Sequence, residues 1–224
     1  MEFAPDRPAS FALTLGDAQA AVDGLGHGWR VSGAEPLAGG TKDVFLLTLE
    51  ERPAIVLKTY GDGLPWRLPK EAYVASLIAG SGDLPAARWL LADDSRQRIP
   101  RPFALISRLP GRPLSERSGR PEAADLYRQA GALLRRLHDI AMPAFGYILG
   151  DGVWRPSPTN RGYMAAAFEA KFRDFAENGG DAGLLDRIQL FVADRLGALD
   201  GCGSAALCHN DIHPGNLLAG QDER

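Results

Sequence analysis

Cysteine is scarce in this sequence, which has only two among 224 residues. Small secreted domains that are held together by disulfides need more cysteines than this. Cys202 and Cys208 lie close together, and one of them falls inside the motif described below, so they indicate reduced thiols of an intracellular protein. The fold therefore has to depend on a hydrophobic core, and the chain is long enough to bury a substantial one.

Long apolar runs and blocks of like charge are also lacking. No uninterrupted apolar stretch is long enough to cross a bilayer, and residues 1–8 contain no basic segment leading into an apolar one. Lys and Arg are dispersed, and the net charge at pH 7 is −3, which gives no general attraction to polyanions. We therefore expect a cytoplasmic protein that binds neither nucleic acid nor membranes.

The first half of the chain has the pattern of a small sheet. Apolar and β-branched runs between turn residues predict strands at 29–37, 44–49, 53–60, 88–92 and 103–109, the first three as an antiparallel meander. Thr14 is a suitable N-cap for a helix that precedes them. Pro69 is suited to the first turn of a second helix, which runs to Ile78 between the third and fourth strands.

The second half has helical periodicity instead. Helices are predicted at 123–140, 164–176 and 184–199, and the connections between them contain Pro156, Pro158 and two adjacent glycines. The change of pattern near Pro110 and Gly111 marks a boundary between a sheet lobe, residues 1–111, and a helical lobe, residues 112–224. The sequence thus predicts an α+β fold of two lobes.

The most informative segment is residues 207–218, Leu-Cys-His-Asn-Asp-Ile-His-Pro-Gly-Asn-Leu-Leu. It places Asp211 five positions before Asn216 in a turn bounded by apolar residues, as in the catalytic loops of kinases. In that role Asp211 would accept the proton of a substrate hydroxyl, and Asn216 would coordinate magnesium on the phosphates. The alternative is an ordinary polar turn, in which Asp, Asn, Pro and Gly are common.

Lys58 ends an apolar strand, and Glu71 begins the next helix. A lysine on the face of a buried strand is explained if it pairs with nucleotide phosphates and with a helical carboxylate. The alternative is a lysine whose stem is buried while its ammonium reaches water, beside an acidic residue that favours a helix N-terminus.

Two weaker patterns concern the rest of a nucleotide site. Gly39 and Gly40 lie in the first hairpin, where glycine would let backbone amides approach phosphates, although a plain tight turn explains them equally well. The segment that contains Ser107 and Leu109 would pass behind an adenine ring and offer it backbone hydrogen bonds. The same segment is also suited to a buried strand that leads out of the sheet.

A metal-dependent hydrolase is the rival interpretation of the same loop. His209, Asp211 and His213 alternate, and on a strand they would share one face as ligands of a metal ion. Pro214 and Gly215 argue against a continuous strand there.

Several segments of this chain occur in the order seen in aminoglycoside phosphotransferase-like kinases, and the sequence resembles that family over nearly its whole length. The segments that carry the resemblance are residues 37–40, 55–58, 71, 109–114, 134–138 and 207–216. The resemblance implies a two-lobe protein-kinase-like fold and transfer of the γ-phosphoryl group of ATP, or sometimes GTP, with magnesium, to a hydroxyl of a small molecule. It also implies that Lys58 holds the α- and β-phosphates, Glu71 orients Lys58, Asp211 is the catalytic base and Asn216 a metal ligand.

One part of the family pattern is not found. Family members follow the loop with a hairpin and an Ile-Asp-Trp-like segment whose Asp binds magnesium, whereas this sequence ends at Arg224 and Asp222 comes too soon after Asn216. We therefore expect an incomplete helical lobe and weak or no turnover, which the missing segment would restore. A non-catalytic nucleotide-binding or partner-binding module is the alternative.

No motif identifies the acceptor. Asp174, Glu177 and Asp181 would attract a cationic acceptor such as an aminoglycoside, but a solvated helix end explains them equally well. Homoserine, choline, fructosamine or another metabolite hydroxyl is equally open.

Overall fold

The computed structural model describes residues 11–37, 43–82, 84–117 and 119–220. The α-helices are α1 (Leu15–Asp23), α2 (Arg67–Gly80), α3 (Ala123–Leu137), α4 (Asn160–Glu177) and α5 (Ala182–Ala193). The strands are β1 (Val31–Pro36), β2 (Val44–Leu49), β3 (Arg52–Thr59), β4 (Trp89–Asp93), β5 (Phe103–Ser107), β6 (Arg112–Pro113), β7 (Phe145–Leu149), β8 (Gly152–Ser157) and β9 (Leu218–Ala219). Short 3₁₀ turns occupy Leu114–Arg117, Leu196–Leu199 and Pro214–Asn216.

The first five strands form one antiparallel sheet in the order β1-β2-β3-β5-β4. The predicted meander, the two helices and the two later strands are therefore confirmed, with ends that differ by a few residues. One such difference is at the end of β5, which stops at Ser107, so that Leu109 lies beyond the strand.

The two faces of the sheet are covered by different helices. On β3, Ile55 and Leu57 point into the core that includes Ala18, Ala21 and other residues of α1. That helix begins with a capping box in which the Thr14 hydroxyl accepts from the Asp17 amide. Because side chains alternate along a strand, Lys58 points to the opposite face, the one that packs on α2.

The prediction of a loop between the first two helices of the second half is wrong. The connection that contains Pro156 is a two-stranded hairpin, in which β7 pairs with β8 and Tyr147 opposes Trp154. Pro156 falls in the irregular part of this ladder, between the pairs Tyr147–Trp154 and Phe145–Ser157, where it has no paired partner. The predicted helix at 184–199 also ends early, at Ala193, and a separate 3₁₀ turn follows.

A short strand pair joins the predicted lobe boundary to the segment after the catalytic-loop motif. β6 pairs with β9, and the amide of Leu114 donates to the carbonyl of Leu217 at 2.8 Å. Leu114, Leu126 and Ala219 are buried together beneath this pair. None of the described helices combines the length and the hydropathy that a bilayer crossing requires.

Candidate active site

Lys58 and Glu71 form an ion pair between the sheet and α2. The Lys58 Nζ atom lies 2.6 Å from Glu71 Oε2, and the two side chains are 26% and 29% exposed. The strand places Lys58 on the α2 face, and Glu71 lies in the second turn of the helix that packs on that face. The structure thus brings together the two residues that the sequence predicted for phosphate binding.

Tyr60 is a third member of this group, and the sequence analysis missed it. Its hydroxyl donates to the same atom, Glu71 Oε2, at 2.7 Å, and its ring centroid lies 5.2 Å from Lys58 Nζ. Burial raises the pKa of the Tyr60 hydroxyl, and the Glu71 carboxylate raises it further, so this group remains a donor. The signal was its position, two residues after Lys58 and therefore on the same face.

Asp211 and Asn216 contact each other within the loop. The Asn216 side-chain amide donates to the Asp211 backbone carbonyl at 2.9 Å and to Asp211 Oδ2 at 3.0 Å. The Asp211 side chain is 76% exposed, which leaves its other oxygen, Oδ1, accessible. The loop therefore presents an accessible carboxylate whose direction is fixed by an amide.

The two histidines of the loop bond to its backbone. His209 Nδ1 accepts from the amide of Asp211 at 3.3 Å, next to Asn210, whose φ is +62°. His213 caps the 3₁₀ turn, because its Nδ1 accepts from the amide of Gly215 at 3.1 Å. Both imidazoles thus shape the turn that holds Asp211.

The donor groups of the loop bear on which metal ion it would hold. Within the described ranges, no group of three or more His, Cys, Asp or Glu side chains is arranged to hold a metal ion, so the His209, Asp211 and His213 site is not assembled. Asn216 uses its amide nitrogen for Asp211, and its Oδ1 atom is the remaining polar end. An amide oxygen beside a carboxylate fits magnesium, which prefers hard oxygen ligands.

Two further predicted residues of a nucleotide site, Ser107 and Leu109, lie at the end of β5 and just beyond it. The Ser107 amide donates to the carbonyl of Arg88 at 2.8 Å, and its hydroxyl accepts from the Arg88 amide at 2.9 Å, so both groups are used within the protein. Leu109 follows the strand and is 36% exposed. Gly39 and Gly40 lie outside the described residues.

A cavity of about 1450 Å³ lies between α2 and the segment that leads into the loop. Glu71 lines it on one side, and His209 and Asn210 line it on the other. The hairpin contacts α2 at its border, where Lys70 Nζ donates to the Tyr147 hydroxyl at 2.5 Å. Glu71 of the ion pair and residues 207–210, which open the catalytic-loop motif, therefore line one shared space.

Comparison with known proteins identifies the family and the fold of this chain. The sequence model of the phosphotransferase enzyme family matches residues 33–224. No curated protein has a sequence that matches this chain.

Several solved structures share the fold at low sequence identity. A thermostable mutant of aminoglycoside phosphotransferase APH(4)-Ia, in ternary complex with AMP-PNP and hygromycin B, has a TM-score of 0.63 and 16% identity, over 91% of this chain and 66% of that one. A putative fructosamine-3-kinase from Haemophilus somnus has a TM-score of 0.60 and 16% identity, over 92% and 68%. An aminoglycoside phosphotransferase from Alicyclobacillus acidocaldarius has a TM-score of 0.56 and 14% identity, over 98% and 66%.

These matches confirm the α+β protein-kinase-like fold class and the resemblance drawn from the motifs. The chain spans about two thirds of the length of the solved structures that it matches.

Proposed function

The chain belongs to the phosphotransferase enzyme family, and we propose that it transfers the γ-phosphoryl group of ATP to a hydroxyl group of a small molecule. One observation carries the proposal: Glu71, the ion-pair partner of Lys58, lines the same cavity as His209 and Asn210, which lead into Asp211. Phosphoryl transfer depends on positioning and on charge stabilisation, and this arrangement offers one cation for phosphates and one carboxylate for the acceptor.

Residues 1–111 would act as the nucleotide-binding lobe in this proposal, and residues 112–224 as the lobe that carries the catalytic loop. The Ser107 amide is bonded to Arg88, so backbone hydrogen bonds to adenine would come from the segment after it, around Leu109. Gly39 and Gly40 would let the backbone approach the phosphates. GTP would fit the same phosphate contacts.

Lys58 would contact the α- and β-phosphates of the nucleotide. Its ammonium has three donors, and the bond to Glu71 directs it while the others reach the phosphate oxygens.

Asp211 would act on the acceptor. Asn216 holds Asp211 Oδ2, so Oδ1 would accept the proton of the acceptor hydroxyl as its oxygen bonds to the γ-phosphorus. The bond between that phosphorus and the β,γ-bridging oxygen breaks at the same time, and ADP leaves. Asn216 Oδ1 would hold magnesium, which when bound neutralises the charge of the phosphates.

The names of two structural neighbours support a small polar acceptor. One structural neighbour is a complex with hygromycin B, and another is a putative fructosamine-3-kinase. We therefore propose a polar small molecule with an accessible hydroxyl, to be sought among aminoglycosides, fructosamines, homoserine and choline.

ADP production with this acceptor panel tests the proposal. We expect at least one acceptor to stimulate ADP release, at the low rate that the sequence predicts, and Asp211→Asn to lower kcat by about 100-fold or more while ATP binding persists. Asp186→Asn, an exposed change on α5, is the matched control and should keep full activity. If no acceptor stimulates release although ATP binds, the chain is a non-catalytic nucleotide-binding module and the transferase proposal is wrong.

A further inference from the structure

We propose that Tyr60 is a positioning residue of the nucleotide site, because its hydroxyl fixes the Glu71 carboxylate that holds Lys58. The inference rests on the proposed function and adds to it a residue outside the sequence motifs. It is a positioning role, since Tyr60 acts through Glu71 and not on the nucleotide itself.

Two hydrogen bonds converge on one atom. Glu71 Oε2 accepts from Lys58 Nζ at 2.6 Å and from the Tyr60 hydroxyl at 2.7 Å. The lysine stem has four flexible carbons, so an ion pair alone leaves the carboxylate free to follow the ammonium. A second donor on a rigid ring gives the carboxylate one direction, and the ammonium then points to one place.

The ring of Tyr60 is held on several sides. The residue is 4% exposed and packs with Leu68 and Ala104. Leu68 belongs to the first turn of α2, so the ring lies between the sheet and the helix that carries Glu71. The Tyr60 amide also donates to the carbonyl of Pro102 at 2.9 Å, which ties this residue to the sheet.

This arrangement predicts a specific loss. Tyr60→Phe keeps the packed ring and removes only the donor to Glu71. Hydrogen bonds to charged groups are strong, and Glu71 is partly exposed, so we expect the dissociation constant of MgATP to rise about 5- to 20-fold. The KM of the acceptor should stay unchanged, because Asp211 and its loop keep their contacts.

The test is a double-mutant cycle, measured by calorimetric titration of the full chain with MgATP. Tyr60→Phe is compared with wild type, and then Tyr60→Phe with Glu71→Ala is compared with Glu71→Ala alone. If Tyr60 acts through Glu71, the first comparison shows about a tenfold loss and the second less than about twofold. Tyr127→Phe, at an exposed site on α3, is the control and should bind MgATP as wild type does.

Two results would overturn the inference. One is an unchanged dissociation constant in Tyr60→Phe; the other is the same loss in both backgrounds, which would indicate a general structural effect. Thermal unfolding of each variant shows whether the fold is kept.

Binding by wild type that is lost in Lys58→Ala, together with full binding by Tyr60→Phe, rejects this inference alone. Absence of MgATP binding by wild type rejects the proposed function and this inference together.

Discussion

At the residue scale, the candidate site depends on a single carboxylate oxygen. Glu71 Oε2 accepts from an ammonium and from a phenol, and both donors come from the α2-facing side of the chain at the end of β3. Burial of Lys58 and Tyr60 between the sheet and α2 is unfavourable unless their polar groups find hydrogen-bond partners. The partner is supplied by α2.

The protonation of Tyr60 gives a prediction for alkaline pH. The pKa of the Tyr60 hydroxyl is raised by burial first and by the Glu71 carboxylate second, whereas an unfolded tyrosine titrates near about pH 10. The folded protein therefore keeps a proton that the unfolded chain releases, so this stabilisation is complete below about pH 10 and is lost as the pH rises. We expect the free energy of unfolding of wild type to fall more steeply between pH 10 and 11 than that of Tyr60→Phe, by up to about 1.4 kcal/mol per pH unit.

Urea unfolding at several pH values measures this difference. Tyr127→Phe removes an exposed phenol and serves as the control, with the slope of wild type. Equal slopes for wild type and Tyr60→Phe would show that Tyr60 does not keep its proton in the fold.

Thr59 offers a second prediction at this scale. It is 2% exposed, and its hydroxyl has no hydrogen-bond partner among the described residues. Because an unsatisfied buried hydroxyl is unfavourable, Thr59→Val should raise the free energy of unfolding by about 1 kcal/mol. Thr48→Val, an exposed change on β2, should have an effect below about 0.5 kcal/mol. Thermal unfolding measures the stability of both variants, and a lower stability of Thr59→Val than of wild type would contradict this account.

The sequence identified some of these residues and not others, for physical reasons. Lys58 is conspicuous because a charge on a buried strand needs a partner, and Glu71 is the acidic residue of the next helix. Tyr60 was missed because an aromatic residue at a strand end usually packs, and its hydroxyl partner is apparent only when α2 is in place. The roles proposed for Asp211 and Asn216 remain predictions, and so do those of the other site residues.

At the element scale, the β6–β9 pair joins the start of the second predicted lobe to the strand that follows the catalytic loop. Gly111 precedes β6 with φ +131°, and a Cβ atom added there would lie 2.5 Å from the carbonyl oxygen of Ala219. Ala219 belongs to the strand that follows the catalytic loop. The glycine of the Leu-Pro-Gly-Arg-Pro-Leu segment is therefore required by the close approach of two backbones.

Gly111→Ala should open this strand pair. We expect the free energy of unfolding to fall by about 2–4 kcal/mol, because the change combines backbone strain with a collision against a carbonyl. Gly131→Ala is the matched control. Apart from its chain neighbours and the backbone of its own helix, no atom of the described residues lies within 4 Å of a Cβ added at Gly131 in α3. Alanine also favours a helix interior. Its free energy of unfolding should rise by about 0.5–1 kcal/mol. Chemical denaturation measures both, and equal effects would contradict the account.

The elements that the sequence predicted were those with a strong pattern. In the five-stranded sheet, β2 has buried residues at alternating positions, and β3 and β5 each have a run of three buried residues. The helix α3 has apolar residues at helical spacing. The hairpin of β7 and β8 was missed, because its strands carry Gly146, Gly152 and Pro156, which are typical of loops. A two-stranded unit also buries little, so alternation is weak in its sequence.

At the scale of the whole molecule, family and fold are shown, while activity and acceptor are proposals. The family match covers residues 33–224, and the chain spans about two thirds of the length of the solved structures it matches. The weak turnover and the cytoplasmic location expected from the sequence remain predictions. The central claim is that Lys58, Glu71 and the loop around Asp211 form a nucleotide site.

Calorimetric titration of the chain with ATP, with and without magnesium, tests that claim most directly. We predict saturable binding by wild type that is tighter with magnesium, and a loss of about tenfold or more in Lys58→Ala, because the phosphates lose their cation. Lys171→Ala, an exposed change on α4, should bind as wild type does. Equal binding by wild type and Lys58→Ala, or no binding by wild type in either condition, would contradict the account.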